Sequence, residues 1–225
     1  GGGAIDAADS NLTVTNSVFS SNQADYFGGA IKMVDCNGTI KGSSFNSNSA
    51  ESNGGAVYLD STPILLENNA FTNNQSTYSG GGVYAKDANF TLVGNTYEEN
   101  SAQTTGGAVS VDDAIWNESS GIYLSNTGVY DGGGLHLENS SGQLSDCNFT
   151  SNSNTSYNGG GALSIDSSSP SISGCNFNQN FSVFRYGGAI YMNSASTPSI
   201  DNCTFTENYA TGSGSYGGAI YFWGI

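Results

Sequence analysis

Hydrophobic and polar residues alternate in short runs along the whole chain. Val57 and Leu59 flank Tyr58 in one run, and Phe71 lies between two smaller residues in a later run. A period of two is typical of β-strands that bury one face. Gly, Asn, Asp, Ser and Pro separate the runs, and no segment has an apolar stripe long enough to predict a helix. The pattern therefore predicts an all-β protein built from short strands.

Two motifs repeat in phase and divide the chain into similar units. One is a pair of glycines followed by a small residue, and the other is an aromatic residue followed three positions later by asparagine. The glycine pairs begin at Gly2, Gly28, Gly54, Gly80, Gly106, Gly132, Gly160, Gly187 and Gly217, with spacings of 26 residues five times and then 28, 27 and 30. The aromatic residue comes 17 positions after each first glycine, or 18 in the last complete unit. A fixed period in this range is the signature of a repeat architecture.

Aliphatic residues recur at the same places in every unit, as Ile31, Val57 and Val83 do three positions after a first glycine. A single unit cannot cover its own apolar face, so neighbouring units must stack. The sequence predicts a parallel β-helix of about eight coils of 26–30 residues, with three short strands per coil. We expect residues 1–225 to form one such domain and to be a segment of a longer solenoid.

The repeated glycines and asparagines have mechanical explanations. A glycine pair marks a corner where the backbone takes a positive φ or closely approaches the next coil. The asparagine of the second motif predicts a ladder of side-chain amides, each hydrogen-bonded to the next coil. The predicted ladder consists of Asn22, Asn48, Asn74, Asn100, Asn126, Asn152, Asn180 and Asn208.

Two further features concern the interior. Cys147, Cys175 and Cys203 share one column, and we expect inward-facing thiols, because parallel side-chain directions do not favour a disulfide. Glu118 stands where other coils have an aliphatic residue, with Trp116 nearby. A local change of register that turns Glu118 outward explains it, and the alternative is a functional carboxylate.

The charge of the chain restricts its partners. Four basic residues oppose 19 acidic ones, for a net charge of −15. We therefore expect no binding to nucleic acid, and membrane attachment only through an anchor or translocator outside this segment. His136, the only histidine, falls in an outward column beside Tyr58 and Tyr84, which predicts a surface position.

A turn column of aspartates is the one candidate for a cofactor. It contains Asp9, Asp35, Asp87 and Asp113, and carboxylates on adjacent coils lie close enough to share a hard cation such as Ca²⁺. Capping of the turns by aspartate explains the same column without a metal. No other cofactor is expected.

Tyrosines form two columns that we expect to be exposed. The first follows the first strand of each coil and contains Tyr58, Tyr84, Tyr191 and Tyr221. The second precedes the glycine pairs and contains Tyr26, Tyr78, Tyr130, Tyr157, Tyr186 and Tyr216. Contact with a glycan or a protein partner explains exposed aromatics, and strand propensity explains them equally well.

Asn-x-Ser/Thr sequons are frequent. The candidates for glycosylation are Asn11, Asn37, Asn89, Asn117, Asn139, Asn148, Asn154 and Asn202. Two further sequons, at Asn74 and Asn180, belong to the predicted ladder and should stay unmodified.

The pairing of Gly-Gly-Ala-(Ile/Leu/Val) with Phe-x-x-Asn resembles the polymorphic outer membrane protein repeat of chlamydial autotransporters. The resemblance covers essentially the whole chain, with Tyr97 and Tyr123 in place of Phe and with Gly82 and Gly134 in place of Ala. It implies a right-handed β-helix passenger that is displayed on the cell surface and acts in adhesion.

Two functions compete at this point. The first is a non-enzymatic structural or adhesive module, extracellular or on the cell surface, which is a candidate for a glycosylated fibre component. Its partners would be further coils or copies of the solenoid end to end, or a host-surface protein or glycan. The second is a polysaccharide lyase or hydrolase of the β-helix type. Such enzymes need a basic group beside Ca²⁺-binding carboxylates or a close cluster of aspartates, and here the basic residues are scattered.

Overall fold

Short parallel strands stack coil upon coil in the computed structural model, which describes residues 1–156, 159–184, 186–193, 195–212 and 216–224. Over these residues the strands form four parallel sheets, and neighbouring strands of a sheet come from successive coils. The predicted fold class, a right-handed parallel β-helix of about eight coils, is confirmed. The described residues form no helix, and so none that is long and apolar enough to cross a membrane.

Each sheet takes a strand from the same part of successive coils. The first sheet is formed by Ile5–Ala8, Ile31–Val34, Val57–Asp60, Val83–Lys86, Val109–Asp112, Leu135–Glu138, Leu163–Asp166, Ile190–Met192 and Ile220–Phe222. The second is formed by Asn11–Thr15, Asn37–Lys41, Ile64–Glu67, Asn89–Val93, Ile115–Ser119, Ser141–Ser145, Ser171–Ser173 and Ser199–Asp201. The third is formed by Val18–Ser20, Ser44–Asn46, Ala70–Thr72, Thr96–Glu98, Ile122–Leu124, Asn148–Thr150, Asn176–Asn178 and Thr204–Thr206.

A fourth sheet corrects the predicted three strands per coil. It is formed by Gln23–Ala24, Ser49–Ala50, Gln75–Ser76, Ser101–Ala102, Thr127–Gly128, Ser153–Asn154, Phe181–Ser182 and Tyr209–Ala210. These strands have only two residues each, and most of them are polar or small. Two residues are too few to show an alternating pattern, so the sequence offers no strand signal there.

The core consists of columns of identical or similar side chains. The aromatic residues of the second motif stack along the axis, from Phe19 to Phe205, with ring centroids between 4.4 and 5.2 Å apart. Offset-stacked pairs of this kind contribute about 0.5–1.5 kcal/mol each beyond the area they bury. Aliphatic columns from the first two sheets line the remaining walls.

The asparagine ladder is present as predicted. Asn74 donates through Nδ2 to Oδ1 of Asn100 at 2.9 Å and to the backbone carbonyl of Phe45 at 2.9 Å. Its own Oδ1 accepts from the backbone N–H of Asn48 at 2.9 Å and from Nδ2 of Asn48 at 3.0 Å. Both amide hydrogens and both lone pairs are therefore satisfied inside the protein. Asn22 and Asn208, at the two ends of the ladder, are half-buried.

The second glycine of each pair allows two coils to come together. A Cβ on Gly107 would lie 2.2 Å from the carbonyl oxygen of Gly133 in the next coil. The first glycine takes a positive φ in seven of the nine pairs, as Gly106 does at +62°. Each member of the pair thus has its own reason to be glycine.

The three cysteines of one column lie in or at the edge of the interior. Cys147 and Cys175 are buried, Cys203 is half-buried, and all three are free thiols, as expected.

The turn aspartates Asp9, Asp35, Asp87 and Asp113 are exposed and have φ between +48° and +52°. They occupy the left-handed corner after the first strand, a conformation that Asp and Asn tolerate better than most residues. Ca²⁺ binding by this column stays a prediction.

We expect Asn100→Leu to destabilise the protein strongly. The change leaves the backbone N–H and the side-chain amide of Asn74, together with the carbonyl of Phe71, without their partners. Each buried group left unpaired costs about 1–3 kcal/mol. Urea unfolding followed by circular dichroism measures the loss.

The matched control is Asn89→Leu, because Asn89 is an exposed asparagine in the same coil. Its expected effect is within about 0.5 kcal/mol. Equal unfolding midpoints for the two variants would show that the ladder does not stabilise the coils.

Candidate functional site: the outer face of the first sheet

The first tyrosine column lies on the outer face of the first sheet, but it is covered. Tyr58, Tyr84 and Tyr191 are 4%, 8% and 6% exposed. Tyr221 is half-buried. The predicted exposure is therefore wrong for the first three. The residue before a glycine pair packs over this face, as the ring of Phe27 does at 4.6 Å from Tyr58.

His136 occupies the same outward column and is also buried, which corrects its predicted surface position. Its Nε2 lies 3.9 Å from Oε2 of Glu138, and its Nδ1 lies 3.9 Å from Oδ2 of Asp166. Asp131, the residue before a glycine pair, lies close enough to act electrostatically on the imidazole. We call His136, Asp131, Glu138 and Asp166 the histidine–carboxylate cluster. Sequence reasoning missed it because the three acids belong to different parts of three successive coils.

Burial and mutual interaction shift the pKa of each group in the cluster. Burial lowers the pKa of His136, but the three carboxylates outweigh burial and raise that pKa above its ordinary value. Burial raises the pKa of Asp131 to about 6, in spite of the opposing effect of His136. His136 lowers the pKa of Glu138. A carboxyl group that titrates near neutrality beside an imidazole is the arrangement that general acid–base chemistry uses.

Access and ligand geometry limit what the cluster can do. The side chain of His136 is only 5% exposed, so a substrate cannot reach it without movement of the covering segment. The described residues contain no group of three or more His, Cys, Asp or Glu side chains that could hold a metal ion. As it stands, the cluster is a buried electrostatic network on the outer face.

Glu118 lies in the interior, which corrects its predicted outward orientation. It is 2% exposed and stands in register between Leu92 and Leu144. Its Oε2 accepts a hydrogen bond from the hydroxyl of Tyr123. Burial raises the pKa of Glu118 to about 8.

Gly121 is the residue in the sequence that could have indicated that Glu118 is buried. A Cβ at Gly121 would lie 2.3 Å from Oε1 of Glu118, so the missing side chain makes room for the carboxyl group. The neighbouring coils place Asn95 and Cys147 at the equivalent position, where both are buried. Glycine at an inward position next to an acid at an inward position thus predicts a buried carboxyl group.

Most of the candidate sequons are on the surface. The exposed ones are Asn11, Asn37, Asn89, Asn117, Asn139, Asn148 and Asn202. Asn154 is fully buried, so its prediction as a glycosylation site is wrong. It is the second residue of its strand in the fourth sheet, in register with Gly128 and Ser182, and that position points inward.

Four parallel sheets with stacked inward columns define a protein of the right-handed β-helix class. The family model for the right-handed β-helix region matches residues 1–152 and 110–224, and the chain belongs to that family. The comparison with curated proteins finds no match.

Glu118 should make the stability depend on pH. Its pKa rises from an ordinary 4.5 to about 8 on folding, so the folded protein holds a proton that the unfolded chain releases. The contribution of Glu118 is fully present below about pH 4.5 and is lost as the pH rises through about 8. Urea unfolding at several pH values, for wild type and Glu118→Gln, measures it.

We expect the difference in unfolding free energy between wild type and Glu118→Gln to change across that range. His136 and Asp131 titrate in both proteins, so their contributions cancel in the difference. Glu99→Gln, at an exposed position, is the control and should keep the wild-type pH dependence. A Glu118→Gln variant with an unchanged slope would mean that the buried carboxyl group is ionised in the folded state.

Secretion from a eukaryotic host should glycosylate exposed sequons and leave buried ones bare. We expect glycans at Asn11, Asn37 and Asn89 and none at Asn154 in folded material, because Asn154 has no room for a glycan. Glycopeptide mass spectrometry measures the occupancy. A glycan at Asn154 in correctly folded protein would contradict the inward position of that side chain.

Proposed function

We propose that this chain is a non-enzymatic structural and adhesive module of an extracellular or cell-surface protein. The observation that carries the proposal is the unbroken ladder from Asn22 to Asn208 together with the stacked rings beside it. These columns make every coil a copy of the last, so the solenoid presents long regular surfaces on a stiff support. Repeated surfaces of this kind suit contact with an extended partner.

Charge and surface chemistry support an extracellular role. The described lysines are all engaged with acids, as Lys32 is with Asp6, Lys41 with Glu67 and Lys86 with Asp60. The remaining acids leave a strongly negative, well-solvated surface. Exposed sequons on several coils suit a secreted glycoprotein. The resemblance to the polymorphic outer membrane protein repeat favours a passenger displayed on a cell surface, with further coils or copies of the solenoid as end-to-end partners.

The histidine–carboxylate cluster is the observation that favours a second candidate, a polysaccharide lyase or hydrolase. Asp131, with a pKa of about 6, would act as the acid, and another carboxylate of the cluster would act as the base or nucleophile. The burial of His136 weighs against this candidate, because the reacting bond of a polymer must reach the catalytic groups.

A depolymerisation assay separates the two candidates. Purified protein is incubated with neutral and acidic polysaccharides, and new reducing ends and unsaturated products are measured over time. We expect no product formation with wild-type protein. Cleavage that is lost in Asp131→Asn and kept in Asp146→Asn, at an exposed position outside the cluster, would overturn the non-enzymatic proposal.

Adhesion is tested separately on cells. Beads coated with the native protein are compared with beads coated with Asn100→Leu protein in a flow chamber. We expect cells to stay on the native beads and to detach from the destabilised ones. Equal detachment from both would contradict an adhesive role.

A further inference from the structure

Exposed tyrosines stand on alternate coils, each two residues after the end of its strand in the fourth sheet. Tyr26, Tyr78 and Tyr130 are 65%, 54% and 53% exposed, and they lie two residues before three alternate glycine pairs, those at Gly28, Gly80 and Gly132. The coils between them carry Ser52 and Thr104 at the same position. Because neighbouring coils are about 4.8 Å apart, the tyrosines repeat at about 9.6 Å. Tyr157, from the same predicted column, lies outside the described residues.

The backbone holds these tyrosines in place. Ser52 donates to the carbonyl of Tyr26 at 2.8 Å, and Tyr78 donates to the carbonyl of Ser52 at 3.1 Å. The backbone N–H of Thr104 donates to the carbonyl of Tyr78 at 2.9 Å, and the backbone N–H of Tyr130 donates to the carbonyl of Thr104 at 2.8 Å. Hydrogen bonds between coils therefore fix the spacing of the backbone positions that carry these rings, and no ligand is needed to create it.

A shallow polar groove runs beside this column. It has a volume of about 210 Å³, and its lining includes Gln23, Ser49, Gln75 and Ser101. Gln23 and Gln75 stand on two coils that carry tyrosines, and Ser49 and Ser101 stand on the coils that follow them. Gln103, on the coil of Thr104, also lines the groove, and Thr127 takes the position equivalent to that of Gln75 on the coil of Tyr130. Thr77, which also lines the groove, directly precedes Tyr78 in the chain.

The chemistry of the face selects its ligand. Tyrosine rings stack on the apolar faces of sugars, and glutamine and serine hydrogen-bond to hydroxyl groups. Glu51 is the only charged residue that lines the groove, and the described lysines are paired with acids on other sheets. An anionic polymer would be repelled by the net charge of −15. A neutral polymer fits.

We propose that the face formed by Tyr26, Tyr78, Tyr130 and the adjacent groove binds a neutral, extended β-1,4-linked polysaccharide that lies along the solenoid axis. Alternate sugars of such a chain present the same face, and its two-sugar repeat is close to twice the strand spacing. Successive tyrosines then stack on alternate sugars of the chain, one ring on each. This proposal rests on the adhesive function above and names the class of its ligand.

Binding is measured by isothermal calorimetry with cellohexaose and with the hexamer of N-acetylglucosamine. Laminarihexaose and maltohexaose serve as neutral comparators without the same repeat, and polygalacturonate serves as the acidic comparator. We expect binding to at least one of the two β-1,4-linked hexamers, and the better one identifies the sugar. No binding to either hexamer at millimolar concentration, or equal binding to the comparators, would overturn the proposal.

Two variants test the spacing. Tyr78→Ala removes the central ring, and the exchange Tyr78→Thr with Thr104→Tyr keeps the composition while moving that ring by one coil. We expect each to weaken binding by at least about tenfold. Tyr216→Ala, at an exposed tyrosine that directly precedes Gly217 and lies outside the proposed face of Tyr26, Tyr78 and Tyr130, should bind like wild type. Unchanged melting temperatures verify folding, and wild-type affinity in the exchange variant would refute the two-coil match.

Failure here and failure of the proposed function give different results. If the glycan proposal is wrong, calorimetry shows no binding to the hexamers or equal binding to the comparators, and adhesion to another partner is unaffected. Loss of the non-enzymatic proposal appears as cleavage products, whether or not the hexamers bind.

Discussion

The hydrogen bonds of the four sheets and of the asparagine ladder run between coils, and the rest of the structure depends on that direction. Backbone groups of one strand pair with the strand one coil away, and the side chain of each ladder asparagine does the same. A residue is therefore stacked on the residue at the same place in the next coil, as Phe45 is on Phe71 at 4.8 Å. This requirement explains why the sequence repeats so strictly, and why a glycine remains where a Cβ would strike the neighbouring carbonyl.

The same requirement decides what the sequence reveals. The aliphatic columns and the asparagine column repeat from coil to coil, so the class of fold and the ladder could be predicted from spacing alone. The free thiols followed from a column of three cysteines with parallel side-chain directions. The two-residue strands of the fourth sheet could not, because they have no room for a pattern. Asn154 was misassigned for this reason. Its strand was not recognised, although Ala24, Ala50 and Ala102 at the same position already indicate an inward side chain.

Burial on the outer face was harder to predict than burial in the core. Alternation correctly places Tyr58 and His136 on the outside of the first sheet, but it does not say what lies above them. The cover comes from the residues before each glycine pair, which differ from coil to coil, as Phe27 and Asp131 do. A column that varies carries no repeat signal. The histidine–carboxylate cluster therefore emerges only when the coils are stacked in three dimensions.

Freedom to vary is also what allows the outer face to carry function. An inward column tolerates an exception only when a neighbour compensates, as Gly121 does for Glu118. The edge of the fourth sheet has no such constraint, because Tyr26 and Gln23 point into solvent. There, over the first five coils, the chain departs from its one-coil period: the rings of Tyr26, Tyr78 and Tyr130 alternate with the short hydroxyl side chains of Ser52 and Thr104. Stacking in the core favours one identical residue per coil, so a doubled period has no source in the folding of the solenoid. A ligand whose own repeat spans two coils supplies a physical reason for it.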